Sequence, residues 1–431
     1  MLKLKKAEEL LYFFDEYRSY KDIESLQYMS YLSLKKYEYN NHGDLLNEYE
    51  RRFHCYDSKH IGIDINSYPA FFVETKEIRK SVLDLHKMDK EVMSLCGELP
   101  SEALTHYMIK CLMDEIQITN SIEGVQSTKK EIRDAFENKG KRFRGIVDKY
   151  RLLMSDKEIR IKDCKDVRVL YNDLVLQEVL EESPQDKPDG KFFRKGQVHV
   201  YGRMLEPIHE GLFPEESIIH SMNQALVYLN DETEEILYRV AVFHYLVGYI
   251  HPFYDGNGRL NRFISSYMLT REFEPLLGYR LSYTVKEEQS SYNKAFVECN
   301  DEDNRGELTM FVEMFLKIIT ESMENLIGAL RKRSRLWKLY TGCISKLPFG
   351  NEKNYPKVYE ELILHELFSS DGVSMAELVH ATGISVPTLK KVLNTIEERG
   401  LLKIDKTGRH FVYSIVLKEL DHLISEVESG K

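Results

Sequence analysis

Between Glu234 and Ile250 the chain is apolar almost all the way round a helical wheel. Ile236, Leu237, Val240, Phe243, Leu246, Val247 and Ile250 recur at helical spacing, and Tyr238, Ala241, Val242, Tyr245 and Tyr249 fill the other sides. A helix that is apolar on every face belongs in the middle of a core. The pattern therefore predicts a buried central helix whose end, at His251, is a rigid mount. His244, inside that helix, reads as a core histidine. Elsewhere the pattern is mostly amphipathic and helical. It predicts helices over Ser101–Glu123, Phe263–Thr270 and Leu308–Leu330, the last with a polar continuation at Arg331–Arg335. Residues 1–60, rich in Tyr, Glu and Lys, read as helices broken near Asn41-His42-Gly43. A further helical stretch is expected from Tyr68 to Cys96, after a turn at Asn66–Pro69.

Two segments depart from this pattern. Pro184–Gly190 is a loop by composition. Phe192–Tyr201 then alternates β-branched residues around Gly196, which predicts a short hairpin. In the C-terminal part, Glu360–Phe368 reads as a helix. Ser374 with Glu377 three residues on forms a capping box for the next helix, which Gly383 ends. Ser385 caps a third helix through Leu389, Val392, Leu393 and Ile396, which stops at Gly400. Two short apolar runs, Leu401–Ile404 and Phe411–Ile415, flank a turn at Lys406–Arg409. Helix, helix–turn–helix and a two-strand wing together resemble a winged helix domain. Lys390, Lys391, Arg399, Lys403, Lys406 and Arg409 outnumber Glu397, Glu398 and Asp405 there, although the whole chain is net −10. Modules of this kind contact DNA or dock proteins, and both readings stand.

The densest chemistry follows the central helix, in His251-Pro-Phe-Tyr-Asp-Gly-Asn-Gly-Arg-Leu-Asn-Arg262. Histidine titrates near neutrality and can act as a base at cellular pH. Gly256 and Gly258 let backbone N–H groups approach an anion at a helix start. Arg259 and Arg262, three apart, project from one helix face and suit phosphate oxygens. Asp255 is a carboxylate of the kind that holds Mg²⁺ on a nucleotide. An ordinary turn needs none of these groups together.

Composition sets looser bounds. A length of 431 residues predicts two or three domains, and 42% apolar residues leave ample core. The net charge implies no general attraction to nucleic acid or membrane. Six scattered cysteines without a CxxC pair read as reduced thiols of a cytoplasmic protein. The first residues lack an uninterrupted apolar run, so no signal peptide is expected. No apolar run reaches membrane-spanning length. Lys139–Arg144 reads as a solvated basic loop.

The loop from His251 to Arg262 resembles the signature of the Fic family, His-x-Phe-x-(Asp/Glu)-Gly-Asn-Gly-Arg-x-x-Arg, at every fixed position. The resemblance implies a protein adenylyltransferase, moving AMP from ATP to a Ser, Thr or Tyr hydroxyl of a target protein. His251 would take the hydroxyl proton and Asp255 would bind Mg²⁺. Asn257 with the Gly256 and Gly258 amides would hold the α- and β-phosphates. Arg259 would steady the departing pyrophosphate, Arg262 the γ-phosphate, and Phe253 would be a buried anchor. Upstream, Thr119-Asn-Ser-Ile-Glu-Gly124 resembles the family's inhibitory motif, (Ser/Thr)-x-x-x-Glu-(Gly/Asn). It implies that Glu123 occupies Arg262 in place of the γ-phosphate. Gly124 equally reads as a helix C-terminus. Gln197, Val198, His199 and Val200 lie where the family carries a flap that pairs backbone to backbone with the target. Tyr292 and Asn300 fall where the family holds adenine, and helix packing accounts for them as well.

The expected fold is mainly α: a Fic helical core with a short β-hairpin flap, plus a C-terminal winged helix domain. The expected divisions are a helical region of unassigned role at 1–64, the Fic domain with its inhibitory helix at 65–335, and the winged helix at 345–431. The alternatives are a DNA-binding transcription regulator that senses nucleotide, and a Fic core that transfers another phosphate-containing group or removes AMP. A base at His251 is surplus to a sensor. The oligomeric state stays open, with a homo-oligomer admitted.

Overall fold

The structure is a computed structural model, described here at residues 49, 52–155, 157–201, 207–406 and 411–428. The expectation for the first 48 residues lies outside that range. In chain order the elements begin with strands β1 (Ser58–Ile65) and β2 (Tyr68–Val73) and helices α1 (Lys76–Gly97) and α2 (Ser101–Ile122). Helices α3 (Lys129–Phe136), α4 (Arg144–Leu152), α5 (Cys164–Leu174) and α6 (Leu176–Glu182) come next. Strands β3 (His199–Tyr201) and β4 (Pro207–Glu210) lead into α7 (Glu215–Leu229), α8 (Ile236–Ile250) and α9 (Asn257–Thr270). Then follow α10 (Leu281–Glu287), α11 (Gln289–Asn300) and the long α12 (Thr309–Gly342). The C-terminal part holds α13 (Tyr355–Phe368), β5 (Val373–Ser374), α14 (Met375–Thr382), α15 (Val386–Glu398), β6 (Leu402–Asp405), β7 (Val412–Ile415) and α16 (Leu417–Glu428). The protein is mainly α, and its sheets are short.

The chain divides into two compact units. The first comprises residues 1–87 and 115–323. Its centre is α8, buried at every position except Arg239 and Gly248. Gly248 is small because the Phe296 ring lies where a methyl group would project, 2.4 Å away. Helices α7 and α9 flank α8. Packing of this density makes the end of α8 a fixed point rather than a loop tip.

Two expectations change in this unit. Residues 58–73 form an antiparallel hairpin, not the start of a helix. Asn66 and Ser67 both take positive φ at its turn, which favours Asn, and Asn66 donates from Nδ2 to Asn300 O at 2.7 Å. Alternating burial along β1 confirms period two. The second change concerns Phe192–Tyr201, which is not a complete hairpin: only His199–Tyr201 is strand, and its partner is Pro207–Glu210. The residues before it are tied down by side chains instead. Glu215 accepts the Lys191, Phe192 and Phe193 N–H groups at 3.0, 2.8 and 2.9 Å.

The second unit comprises residues 88–114 and 324–431. Arg331–Arg335 does not break α12, which runs on to Gly342. The Ser374–Glu377 capping box is formed, and Gly383 and Gly400 end their helices with φ of 68° and 73°. Strand β5, unforeseen in the sequence, joins β7 and β6 in a three-stranded sheet of order β5-β7-β6. Among the described residues no helix is long and apolar enough to cross a membrane.

Candidate functional site

Helix α8 ends because His251 turns left-handed, at φ 52° and ψ 62°. A non-glycine residue rarely adopts that conformation without support from its surroundings. The chain then crosses Pro252 and Phe253 and restarts a helix at Gly256, again left-handed at φ 80°. Phe253 is fully buried and stacks on Tyr171 with ring centroids 3.7 Å apart. Tyr171 donates its hydroxyl proton to Asp255 O at 3.0 Å. Asn257 closes the loop from inside. It accepts from Phe253 N at 2.9 Å and donates to Phe253 O at 2.8 Å. Its carboxamide thus shapes the loop first, a role the sequence did not suggest. The result is a partly buried loop, anchored by Pro252 and Phe253, that leads into the N-terminus of α9, where N–H groups have no partner within the helix.

Burial holds the His251 imidazole down to about 4, helped by the positive Arg194 guanidinium and by His209, while Glu123 opposes the shift. A neutral imidazole can accept a proton, so this environment keeps the group in its basic form at neutral pH. His244 is a different case. It lies in the core between Ser265 Oγ at 2.8 Å and Tyr292 Oη at 2.7 Å. Burial holds it down to about 3, as expected of a core histidine.

The two arginines engage different neighbours. Arg259 is buried, donates from Nη2 to Asp255 Oδ2 at 3.3 Å, and leaves its Nε without a hydrogen-bond partner. Arg262, 2% exposed, donates from Nε to Thr119 Oγ1 at 2.8 Å and from Nη2 to Thr119 O at 3.2 Å. Nη2 also meets Glu123 Oε1 at 2.6 Å. Glu123 follows the last residue of α2, and Gly124 ends the turn at φ 78°. A methyl group on Gly258 would fall 2.2 Å from Glu123 Oε1. The carboxylate therefore lies directly against the glycine at the start of α9. It pairs with the arginine and fills the space beside the start of the helix.

A Mg²⁺ carried by a nucleotide needs only one or two protein carboxylates, since phosphates and waters supply the rest. Asp255, with its side chain 40% exposed beside the loop, is such a carboxylate. Among the described residues no cluster of three or more His, Cys, Asp or Glu could hold a metal alone. The donor set suits a phosphate-borne cation rather than a protein cage.

The residues expected near adenine are built into the packing. Tyr292 is bound to His244, and Asn300 Oδ1 accepts from Tyr245 Oη at 2.7 Å. Of the flap residues, His199 and Val200 lie in β3, while Gln197 and Val198 precede it, with Val198 O accepting from Gly211 N at 3.1 Å. The sequence reading missed three contributors. Arg194 and His209 bind the end of α8. Glu115 is buried on α2, accepts from Ser282 N and Oγ, and is pushed up to about 7 by burial. No motif marks any of them. The apolar Phe192-Phe193 before Arg194 was the only hint of its burial.

In the second unit, α15 buries Leu389, Val392, Leu393 and Ile396 and leaves Lys390 and Lys391 exposed. Arg399, Lys403 and Lys406 are also exposed, and Arg409 lies outside the described residues. The Lys139–Arg144 loop is partly neutralised, with Lys139, Arg142 and Arg144 paired to Glu137, Glu131 and Asp148.

Compared with known proteins, residues 165–269 match the Fic/DOC family. The chain is 26% identical over 188 residues to protein adenylyltransferase fic-1 of Caenorhabditis elegans, covering 42% of this chain and 34% of that protein. It is 28% identical over 193 residues to protein adenylyltransferase Fic of Drosophila mojavensis, covering 43% and 36%. The chain thus spans about a third of the length of these curated relatives. A crystal structure of a Fic family protein from Desulfovibrio desulfuricans aligns with a TM-score of 0.46 at 19% identity, covering 78% of this chain and 96% of that one.

Proposed function

The chain carries a Fic/DOC domain at residues 165–269, and on that premise we propose that it is a protein adenylyltransferase restrained by its own Glu123. The substrate would be ATP, and the acceptor a Ser, Thr or Tyr hydroxyl on a target protein or on the chain itself. His251, neutral at working pH, accepts the hydroxyl proton as the oxygen bonds to the α-phosphorus. The bond from that phosphorus to pyrophosphate breaks, and the proton stays on the imidazole. Transfer of this type depends on positioning and charge neutralisation more than on covalent help. The Gly256 and Gly258 amides and Arg259 receive the phosphate charge. Asp255 would hold Mg²⁺, which neutralises phosphate oxygens when bound.

One observation carries the regulatory half of this reading: the Glu123 carboxylate lies against Gly258 and on Arg262. A γ-phosphate needs the same guanidinium, so carboxylate and phosphate compete. To test both halves, the purified protein and its Glu123→Gly variant are incubated with Mg²⁺ and ATP labelled at the α- or γ-phosphate. Covalent α-label, stronger in the variant, is expected. Covalent γ-label, or no label in either protein, would overturn the assignment.

A second reading concerns residues 345–431 alone. The exposed Lys390 and Lys391 of α15, with the exposed Lys403 in β6 and Lys406 just after it, support a winged helix that contacts nucleic acid phosphates. This role is independent of the chemistry at His251.

A further inference from the structure

The four carbonyls where α8 runs into the loop, from Tyr249 to Pro252, are not left to solvent. A helix terminus needs outside donors for these groups. Here Tyr249 O receives His209 Nε2 at 2.6 Å and Ile250 O receives Leu212 N at 3.1 Å. Arg194 supplies the other two: its Nε donates to His251 O at 2.9 Å, and its backbone N–H donates to Pro252 O at 3.2 Å. The rest of the guanidinium turns to the flap. Nη1 donates to Gly196 O at 2.6 Å before β3, and Nη2 donates to Leu212 O at 2.9 Å after β4.

Arg194 is 0% exposed, and its guanidinium donates to four carbonyl oxygens, those of His251, Gly196, Leu212 and Ile250, rather than to carboxylates. Burying a cation in this way is expensive unless its geometry is needed. The neighbouring backbone is shaped around it. A methyl group on Gly211 would lie 2.5 Å from Arg194 Nη2 and 2.9 Å from His251 Cβ. Glycine at 211 therefore lets the flap, the guanidinium and the histidine meet.

We propose that Arg194 is a positioning residue for His251: its guanidinium locks the left-handed turn that aims the imidazole and joins both ends of the flap to that turn. The accepting hydroxyl, presented along the flap, and the base that takes its proton are then held by one side chain. This inference rests on the reading of His251 as the base. Only a forked donor reaches three chain segments at once, so lysine is not an equivalent. The charge has a second effect. Around His251 stand Arg194, His209 and Glu123, and of these Arg194 contributes most to keeping the imidazole neutral.

The test uses the full chain in the Glu123→Gly background, with Arg194→Gln, Arg194→Lys and Gly211→Ala compared. Thermal melts establish folding, and Mg²⁺–ATP binding is measured by calorimetry. Transfer of α-label is followed from pH 4 to 8, and the His251 imidazole is titrated by NMR. Loss of a fraction of an ångström to an ångström in aim lowers turnover about 10- to 100-fold. The expected result is that loss in both Arg194 variants, with ATP affinity within about twofold, because the Arg194 guanidinium bonds to none of Gly256, Asn257, Gly258, Arg259 and Arg262. In Arg194→Gln the imidazole titration and the acid limb of transfer both move to higher pH. Gly211→Ala keeps the charge, so it lowers turnover without the same pH shift. Unchanged turnover and an unchanged His251 titration in folded Arg194→Gln would overturn the proposal. If Arg194→Gln fails to fold, Gly211→Ala decides, and normal turnover there overturns it. Failure of the underlying reading looks different: His251→Ala in the same background would then retain transfer.

Discussion

Glu123→Gly removes one carboxylate from a buried guanidinium and opens the space above Gly258. At 2.6 Å the gross attraction between the two charges is about 6 kcal/mol at an effective dielectric of ~20. Desolvation of Arg262, 2% exposed, and of Glu123, 22% exposed, offsets most of it. A net coupling of ~1–3 kcal/mol between the carboxylate and a competing γ-phosphate remains, which corresponds to a rise in AMP transfer of roughly 5- to 150-fold. Two further variants separate charge from bulk. Glu123→Gln leaves a side chain against Gly258 but no charge, so it should recover only part of the gain. Arg262→Ala added to Glu123→Gly should remove the gain, because the freed guanidinium is its cause. The assay is covalent incorporation of α-label from ATP, including self-modification, at saturating and limiting ATP. Glu123→Gly activity no greater than that of the unaltered protein, or a gain that survives Arg262→Ala, would refute the reasoning.

Four other outcomes are expected. His251→Ala should lower transfer about 10²- to 10⁴-fold, the usual contribution of a general base, while ATP binding and the melting temperature hold. With its folded value near 4, His251 should leave the transfer rate flat down to about pH 5, whereas an acid limb near 6.5 would mean that the imidazole is solvated. Glu115, raised from 4.5 to about 7 by burial, makes a contribution to stability that is full below pH 4.5 and lost as pH rises to about 7; Glu115→Gln should abolish that slope in urea melts between pH 5 and 8, and an unaltered slope would disprove it. Lys390→Glu with Lys391→Glu should eliminate duplex DNA binding by the full chain, and binding by the unaltered protein should weaken steeply with salt; absence of binding even at low salt would leave residues 345–431 as a docking module.

What the sequence disclosed and what it hid follow from range. The central helix was legible because apolar residues on every face admit one environment, and the loop after it because its groups sit within twelve residues. A capping box at Ser374 and glycine stops at Gly383 and Gly400 placed α14 and α15 for the same local reason, although Ser385, at the N-cap of α15, makes no side-chain cap bond. The hairpin at 58–73 was hidden because Tyr68-Pro-Ala-Phe-Phe-Val is apolar without alternation, and the contacts that bury it come from residues more than two hundred positions away. Leu308 N donates to Phe71 O at 2.7 Å, and the Arg52–Glu307 pair is buried nearby. Arg194 was hidden likewise: every group its guanidinium binds is backbone carbonyl, which leaves no trace in residue type. Asn257 was legible as a polar residue of the loop, but its bonds to Phe253 could be seen only once the loop had closed on itself.

Glu115, Thr119 and Glu123 are spaced four apart and so share one face of α2 and the turn that ends it. The last two bind Arg262, and Glu115 holds the Ser282 N–H and hydroxyl at the start of α10. The part of α2 from Glu115 onward is therefore held on Arg262 and Ser282 by contacts that do not involve Glu123. On the proposed reading, relief of restraint does not require α2 to leave. Thr119 can keep Arg262 Nε while Glu123, at the C-terminal turn beside Gly124, swings off Gly258 and frees Nη2. Helix ends fray more readily than helix centres. A phosphate that takes Nη2 then meets a guanidinium already held in place by Thr119, so little ordering remains when the nucleotide binds.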